Sequence, residues 1–170
     1  MWTPDEADLA TYAERHVRYE VDMVTGQARE LIRRHPSGMP TPTTGFPGPI
    51  DDALLEAILV HLRLLEDFLG SRKDGRDVIA EDWLPSWSPQ TFLTCDQRDA
   101  INLQLAHMSS ERDWGYPWDI AAMVTECCLA IKSFIEALDQ HSPRAAAFTG
   151  VREIVEKWLA GDTLLQPRLQ

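Results

Sequence analysis

Large apolar residues recur every three or four positions through the stretch from Leu54 to Leu69. They are Leu54, Leu55, Ile58, Leu59, Leu62, Leu65, Phe68 and Leu69. This spacing matches the 3.6-residue turn of an α-helix, and the apolar positions cover more than half of the helix circumference. The pattern predicts a helix from about Ile50 to Leu69, buried on more than one side and ended by Gly70. Such a helix needs other helices around it.

The same periodicity predicts the remaining helices. They span about 3–34, 96–112 and 116–139, followed by a last helical stretch that starts at Ser142 and Pro143, is interrupted at Gly150 and ends at Gly161. Thr3 and Pro4 have the residue types of a helix N-cap and first turn. No segment shows the alternation of a half-buried strand. We predict one all-α domain over residues 1–170, an up-and-down bundle of four to five helices.

Two segments interrupt the helices. Residues 35–49 contain five prolines and three glycines, a composition that favours an extended connection. Residues 71–94 are irregular and rich in tryptophan, with one helical turn predicted between Asp77 and Trp83. We expect Trp83 and Trp87 to close one end of the bundle, because large aromatic side chains bury well even in a loop. Cys127 and Cys128 fall on the apolar face of helix 116–139 and are expected to pack in the core.

The composition limits the classes of function. The net charge of −11 disfavours RNA as a partner, because nonspecific nucleic-acid binding relies on basic patches. Two basic clusters, Arg29 to His35 and Arg72 to Arg76, are interpreted mainly as helix ends. Three cysteines, no apolar run long enough for a membrane and no signal-peptide pattern predict a cytoplasmic protein. Without a phosphate-binding loop or metal-ligand spacing, we predict no cofactor and no metal.

Helix 96–112 carries the most informative polar residues, namely Arg98, Asn102, His107 and Arg112. His107 can titrate near neutral pH and take part in acid–base chemistry, and Arg112 can neutralise a phosphate charge. The alternative is that His107 pairs with Glu111 and only stabilises the helix. On the preceding helix, His61 is expected to be a hydrogen-bonded core residue, and Arg63 a surface ion-pair partner of Asp67.

Three stretches carry a resemblance to a known family: Asp52 to Phe68, Asp77 to Trp83 and Asn102 to Arg112. The chain resembles the HEPN superfamily of small helical bundles, and is similar to a group of bacterial HEPN-like proteins. The resemblance implies a metal-independent ribonuclease of toxin–antitoxin or phage-defence type, in which two copies meet across a dimer. His107 matches the family histidine, whereas Asn102 stands where the family has an arginine.

On this resemblance the candidate catalytic residues are His107, Asn102 and Arg112, and the candidate binding residues are Arg98, Arg63 and His61. The expected partners are a second copy of the chain and an antitoxin or nucleotidyltransferase. Apolar residues on two sides of helix 96–112 also favour a homodimer. Two alternatives remain: a non-catalytic interaction or dimerisation protein, and a bundle that binds a small molecule through its tryptophans.

Overall fold

Helices dominate the computed structural model, which describes residues 5–36, 48–71, 77–106 and 116–161, without the side chains of residues 104–106. In chain order these ranges contain α1 (Glu6–Tyr12), a π-helical turn (Ala13–Val17), α2 (Arg18–Arg34), α3 (Pro49–Leu69), a 3₁₀ turn (Ala80–Asp82), α4 (Cys95–Ala106), α5 (Ile120–His141), a second 3₁₀ turn (Pro143–Phe148) and α6 (Thr149–Leu159). No strand occurs among the described residues. The prediction of an all-α bundle is confirmed.

Most predicted boundaries hold to within a few residues. Asp5 has an extended backbone and caps α1. Thr3 and Pro4, where the first helix was predicted to begin, lie outside the described residues. The Asp5 carboxylate accepts from the amide of Asp8 at 2.8 Å, and Asp8 accepts from the amide of Asp5 at 3.2 Å. These two bonds satisfy amides at the helix start that have no partner within the helix.

The π-helical turn follows from the spacing of the buried residues before and after it. Leu9, Ala13, Val17 and Val21 are all buried and each stands four positions after the last. Three such steps span twelve residues, about one more than three turns of an α-helix. A π-helical turn takes up about one extra residue. The turn therefore keeps all four side chains on the core side of the bundle.

The core lies among α2, α3, α5 and α6. Helix α2 is central as well, because it packs against α3, α5 and α6. Buried apolar residues from all six helices form one cluster. Cys127 and Cys128 are buried in it, as predicted. None of the helices in the described ranges carries an apolar stretch long enough to cross a membrane.

Aromatic side chains pack where the segment after α3 meets α5. Trp83 and Trp87 are buried, and the predicted helical turn before Trp83 is present. The rings of Trp83 and Trp87 stand edge-on to Phe68 and Phe134 at centroid distances of 5.5 and 5.2 Å, respectively. The Trp87 indole also donates a hydrogen bond to the Leu69 carbonyl at 3.1 Å. This packing fastens an irregular segment to two helices.

The predicted interruption at Gly150 is wrong, because Gly150 lies inside α6 and the preceding 3₁₀ turn makes the break. The glycine serves a close contact, since a Cβ atom added there would lie 3.0 Å from Nε of Arg18. The predicted ends of α3 at Gly70 and of α6 near Gly161 are confirmed, and Gly161 has a φ of 72°. Helix α4 is described only to Ala106, so the predicted residues 107–112 lie outside the described ranges.

Candidate functional site

The residues singled out for catalysis fall only partly within the described ranges. His107 and Arg112 lie outside them. Asn102 is on α4 with an exposed side chain. The catalytic assignment of these three residues stays a prediction.

Arg98, predicted to bind a ligand, faces a carboxylate of the protein itself. Its Nη1 atom lies 3.9 Å from Oε1 of Glu66, which is buried. The other carboxylate oxygen of Glu66 accepts from the amides of Phe92 and Leu93 at 3.0 and 3.3 Å. Glu66 therefore ties the segment before α4 to α3, and Arg98 supplies a positive charge beside it.

His61 and Arg63 are also paired within the chain. His61 is buried, as predicted, and its Nδ1 atom lies 2.5 Å from Oε2 of Glu20 on α2. Arg63 donates to Asp67 at 3.3 Å, which confirms the predicted surface pair. The three candidate binding residues thus pair with three different carboxylates and do not converge on one site.

Arg33 and Arg34 of the first basic cluster, at the end of α2, also pair with carboxylates of the chain. Arg33 donates two hydrogen bonds to Glu30, at 2.7 and 2.8 Å. Arg34 pairs with the buried carboxylate of Asp51 at the start of α3, which His35 also approaches at 3.6 Å. Residues 72–76, the second cluster, lie outside the described ranges.

A groove of about 510 Å³ lies between the π-helical turn and the end of α3, and we call it the π-turn groove. Its walls are formed by Tyr12, His16, Val17, Glu20, Leu64, Leu65, Asp67, Phe68, Ser71, Asp77, Val78 and Ile79. Val17, Leu65, Phe68 and Ile79 make a buried apolar floor, and the carboxylates come from α2, α3 and the segment after it. The volume is in the range of small-molecule sites.

Tyr12 and His16 shape one side of the groove. They lie one π-helical turn apart and their rings stack with centroids 4.6 Å apart. Partial burial, with the nearby charges of Glu20 and Asp77, raises the pKa of the Tyr12 hydroxyl above its usual 10.0. Burial is the larger cause of this shift, and the two carboxylates add to it.

The groove was missed at the level of sequence, although one signal pointed toward it. The four-residue spacing of Leu9, Ala13, Val17 and Val21 is too long for a regular helix and marks the π-helical turn. π-Helical turns occur frequently at functional sites. No sequence pattern indicates that this turn lies beside the end of α3, because that contact depends on how the helices pack.

The described residues offer a limited range of chemistry. No three His, Cys, Asp or Glu side chains in these ranges group as metal ligands. The four tryptophans in the described ranges, Trp83, Trp87, Trp118 and Trp158, are buried in the core and do not line the π-turn groove. The groove instead combines an apolar floor with carboxylates and a tyrosine. Comparison of the chain with protein-family models, curated proteins and solved structures found no match.

Proposed function

We propose that this chain is a non-catalytic binding protein whose π-turn groove takes a small organic cation with an apolar body. The observation that carries the proposal is the groove itself, which places three carboxylates and a tyrosine around an apolar floor. A ligand body packs on Phe68 and Ile79, and its protonated amine faces Glu20. Aromatic rings such as Tyr12 add cation–π attraction.

The pairing of the cationic candidates supports a binding role over RNA cleavage. His61, Arg63 and Arg98 lie beside Glu20, Asp67 and Glu66, respectively. A phosphate that approaches these side chains is repelled by the carboxylates beside them, whereas an amine at Glu20 is attracted and shares that carboxylate with His61. The proposed protein is cytoplasmic, and its three free cysteines, two of them buried, support a reducing compartment.

The test uses 2-phenylethylamine and its neutral analogue 2-phenylethanol as probes in isothermal titration calorimetry. The amine should bind and the alcohol should bind at least about tenfold more weakly, since a charge-assisted hydrogen bond is worth about 1.5–3 kcal/mol. Glu20→Gln should reduce amine binding by a similar factor. Glu14→Gln is the matched control, because Glu14 is exposed on the π-helical turn and does not line the groove. Equal affinity for the two probes, or no binding of either, would refute the proposal.

A second candidate is the HEPN-like, metal-independent ribonuclease of toxin–antitoxin or phage-defence type, with an antitoxin or nucleotidyltransferase partner. The observation in its favour is the exposed side chain of Asn102 on α4, five residues before His107. In this proposal His107 acts in acid–base catalysis, Asn102 orients the phosphate and Arg112 neutralises its charge.

The ribonuclease candidate predicts RNA cleavage in a buffer that contains a metal chelator, and slower growth of cells that express the protein. His107→Ala should abolish both effects and leave the circular dichroism spectrum unchanged. His141→Ala, at an exposed position on α5, is the matched control. Wild-type protein that neither cleaves RNA nor slows growth would rule this candidate out and leave the binding proposal intact.

A further inference from the structure

Helix α3 presents an apolar stripe on its outer face. Large hydrophobic side chains that are exposed within the described ranges include Ile50, Val60 and Leu64, at 61, 41 and 47% exposure. Together with Ala53 and Ala57 they follow a spacing of three, four, three and four residues. We call these five residues the α3 stripe. Single exposed apolar residues are common, but an ordered row is typical of an interaction surface.

The spacing of the α3 stripe is that of a helix–helix seam. Alternation of three and four residues gives a 3.5-residue repeat, which keeps the row facing one partner helix. The opposite side of α3, with Leu55, Ile58, Leu62 and Leu65, is buried in the core. One face of helix α3 thus packs in the core of the bundle, and a second, narrower apolar row lies on its outer face.

We propose that the α3 stripe packs antiparallel against the α3 stripe of a second copy of the chain, related by a two-fold axis. In the register that we propose, Ala57 lies opposite the partner's Val60 and Ala53 lies opposite the partner's Leu64, whereas Ile50 lies at the edge of the contact, level with the partner's Asp67. Small residues then face large ones in successive layers, as close packing requires. The two-fold axis repeats each layer. A parallel pair would instead set alanine against alanine and leave gaps.

Charge complementarity also favours a second copy of the chain with the two α3 helices antiparallel. Glu56 and Arg63 are partly exposed, seven residues apart, along one edge of the α3 stripe. In the antiparallel register Glu56 lies beside the partner's Arg63, and Arg63 beside the partner's Glu56. Arg63 already contacts Asp67, but this partly exposed i,i+4 pair at the surface is worth little and can exchange at small cost.

This interface differs from the one that the sequence suggested. Among the described side chains of α4, Ile101 is fully buried and Leu103 is half-buried, whereas Ile50, Val60 and Leu64 on α3 are exposed. Burying Val60 and Leu64 against a copy removes apolar area from water, the usual driving force of association. Leu64 belongs both to the α3 stripe and to the wall of the π-turn groove, but the proposed dimer does not require a ligand in the groove.

The test is sedimentation velocity of the full chain over a concentration series reaching the order of 10 μM. Wild-type protein should form a dimer. Val60→Glu should raise the dimer dissociation constant by at least about tenfold, because it places two carboxylates in an apolar seam. Leu129→Glu is the matched control, since Leu129 is 45% exposed on α5 and lies outside the stripe. Circular dichroism spectra that match the wild type would show that both variants fold.

Charge reversal tests the register. E56R sets an arginine against the partner's Arg63, R63E sets a glutamate against the partner's Glu56, and each should weaken the dimer. The double variant E56R/R63E should restore it only if the helices run antiparallel. K132E/E136K, which inverts an exposed i,i+4 pair on α5, is the control. A monomeric wild type, a dimer unaffected by V60E, or failure of the double variant to recover would overturn the proposal.

Discussion

At the scale of single residues, buried polar groups connect segments that are distant in the chain. Glu66 is 4% exposed and accepts two backbone hydrogen bonds from the segment before α4. His61 and Glu20 join α3 to α2 across 41 residues. Groups buried in this way stabilise the fold only while their partners remain, because an unpaired buried donor or acceptor loses its hydration without compensation.

Glu66→Ala should therefore destabilise the protein by about 3 kcal/mol, since it leaves the amides of Phe92 and Leu93 without an acceptor. Glu66→Gln should cost less, because the amide oxygen can accept both bonds, while the amide NH2 group replaces the oxygen that faces Arg98. Urea unfolding followed by circular dichroism measures both values. Equal losses for the two variants would contradict the role assigned to the two backbone bonds.

The cysteines should differ sharply in reactivity. Burial raises the pKa of the Cys127 thiol well above its usual range, with Cys128 and Glu66 adding to the effect. Burial also raises the pKa of Cys128 to about 12, against the opposing charge of Arg29. Cys95 is exposed. Because the thiolate is the reactive form, an aromatic disulfide reagent at pH 8 should modify one thiol per native chain and three after denaturation.

Tyr12 should make the protein less stable in alkali. Its pKa is raised in the folded protein, so its contribution is fully present below the unfolded value near pH 10 and is lost as the pH rises through the folded value. Tyr12→Phe should remove part of the alkaline loss of stability. The control is Tyr19→Phe, at an exposed position. Thermal unfolding between pH 8 and 11 measures the difference, and identical profiles for wild type and Tyr12→Phe would contradict it.

At the scale of elements, the π-helical turn is the unusual feature. It places Tyr12, His16 and Val17 along the π-turn groove while the buried face stays in register. An α-helix with one residue fewer would hold the same core positions, because the spacing of four, four and four would become four, three and four. The extra residue therefore serves the shape of the groove more than the packing of the core.

Deletion of Arg15, an exposed residue inside the π-helical turn, should give a regular helix of equal or greater thermal stability. The same deletion should weaken amine binding, because it shifts Tyr12 relative to Glu20. Deletion of Ser133, exposed in the regular helix α5, is the control and should destabilise the protein strongly by rotating later residues about 100°. Melting curves for the two deletions should separate clearly; a stability loss for the Arg15 deletion as large as for Ser133 would be evidence against this account.

At the scale of the whole molecule, Arg144 joins both halves of the chain. Its guanidinium pairs with Glu6 in α1 and donates to the carbonyls of Asp82 and Trp83 at 2.6 and 3.3 Å. The Arg144 side chain thus connects the N-terminal helix, the segment that contains Trp83 and the turn before α6. A planar group with five donors suits such a junction, and a lysine does not replace it.

Arg144→Ala should lower the free energy of unfolding by about 2 kcal/mol, and Arg144→Lys should recover less than half of that loss. Hydrogen exchange should quicken in α1 and around Trp83, which the guanidinium connects. Arg152→Ala is the control, because Arg152 pairs only with the exposed Asp139 among the partners observed. Exchange that stays unchanged in α1 would show that Arg144 does not hold this junction.

The sequence alone was sufficient to predict most of the helices and many of their buried residues. Helical periodicity is a local property, so Ile58, Leu62, Cys127 and Cys128 could be placed in the core from spacing alone. The pair Arg63 and Asp67, one turn apart, could be predicted in the same way. The burial of His61 followed from its position on the same face. The resemblance to HEPN proteins and the roles of His107 and Arg112 stay predictions.

Only the tertiary structure decided which residues meet. Glu20 and His61, or Glu66 and Phe92, are far apart in sequence, and their contact depends on the rotation and spacing of packed helices. The π-turn groove arises in the same way, from a turn near residue 15 and a helix end near residue 68. Apolar spacing specifies which face of a helix is buried, but not which face of another helix covers it, because many pairs of apolar faces are interchangeable until the whole core packs.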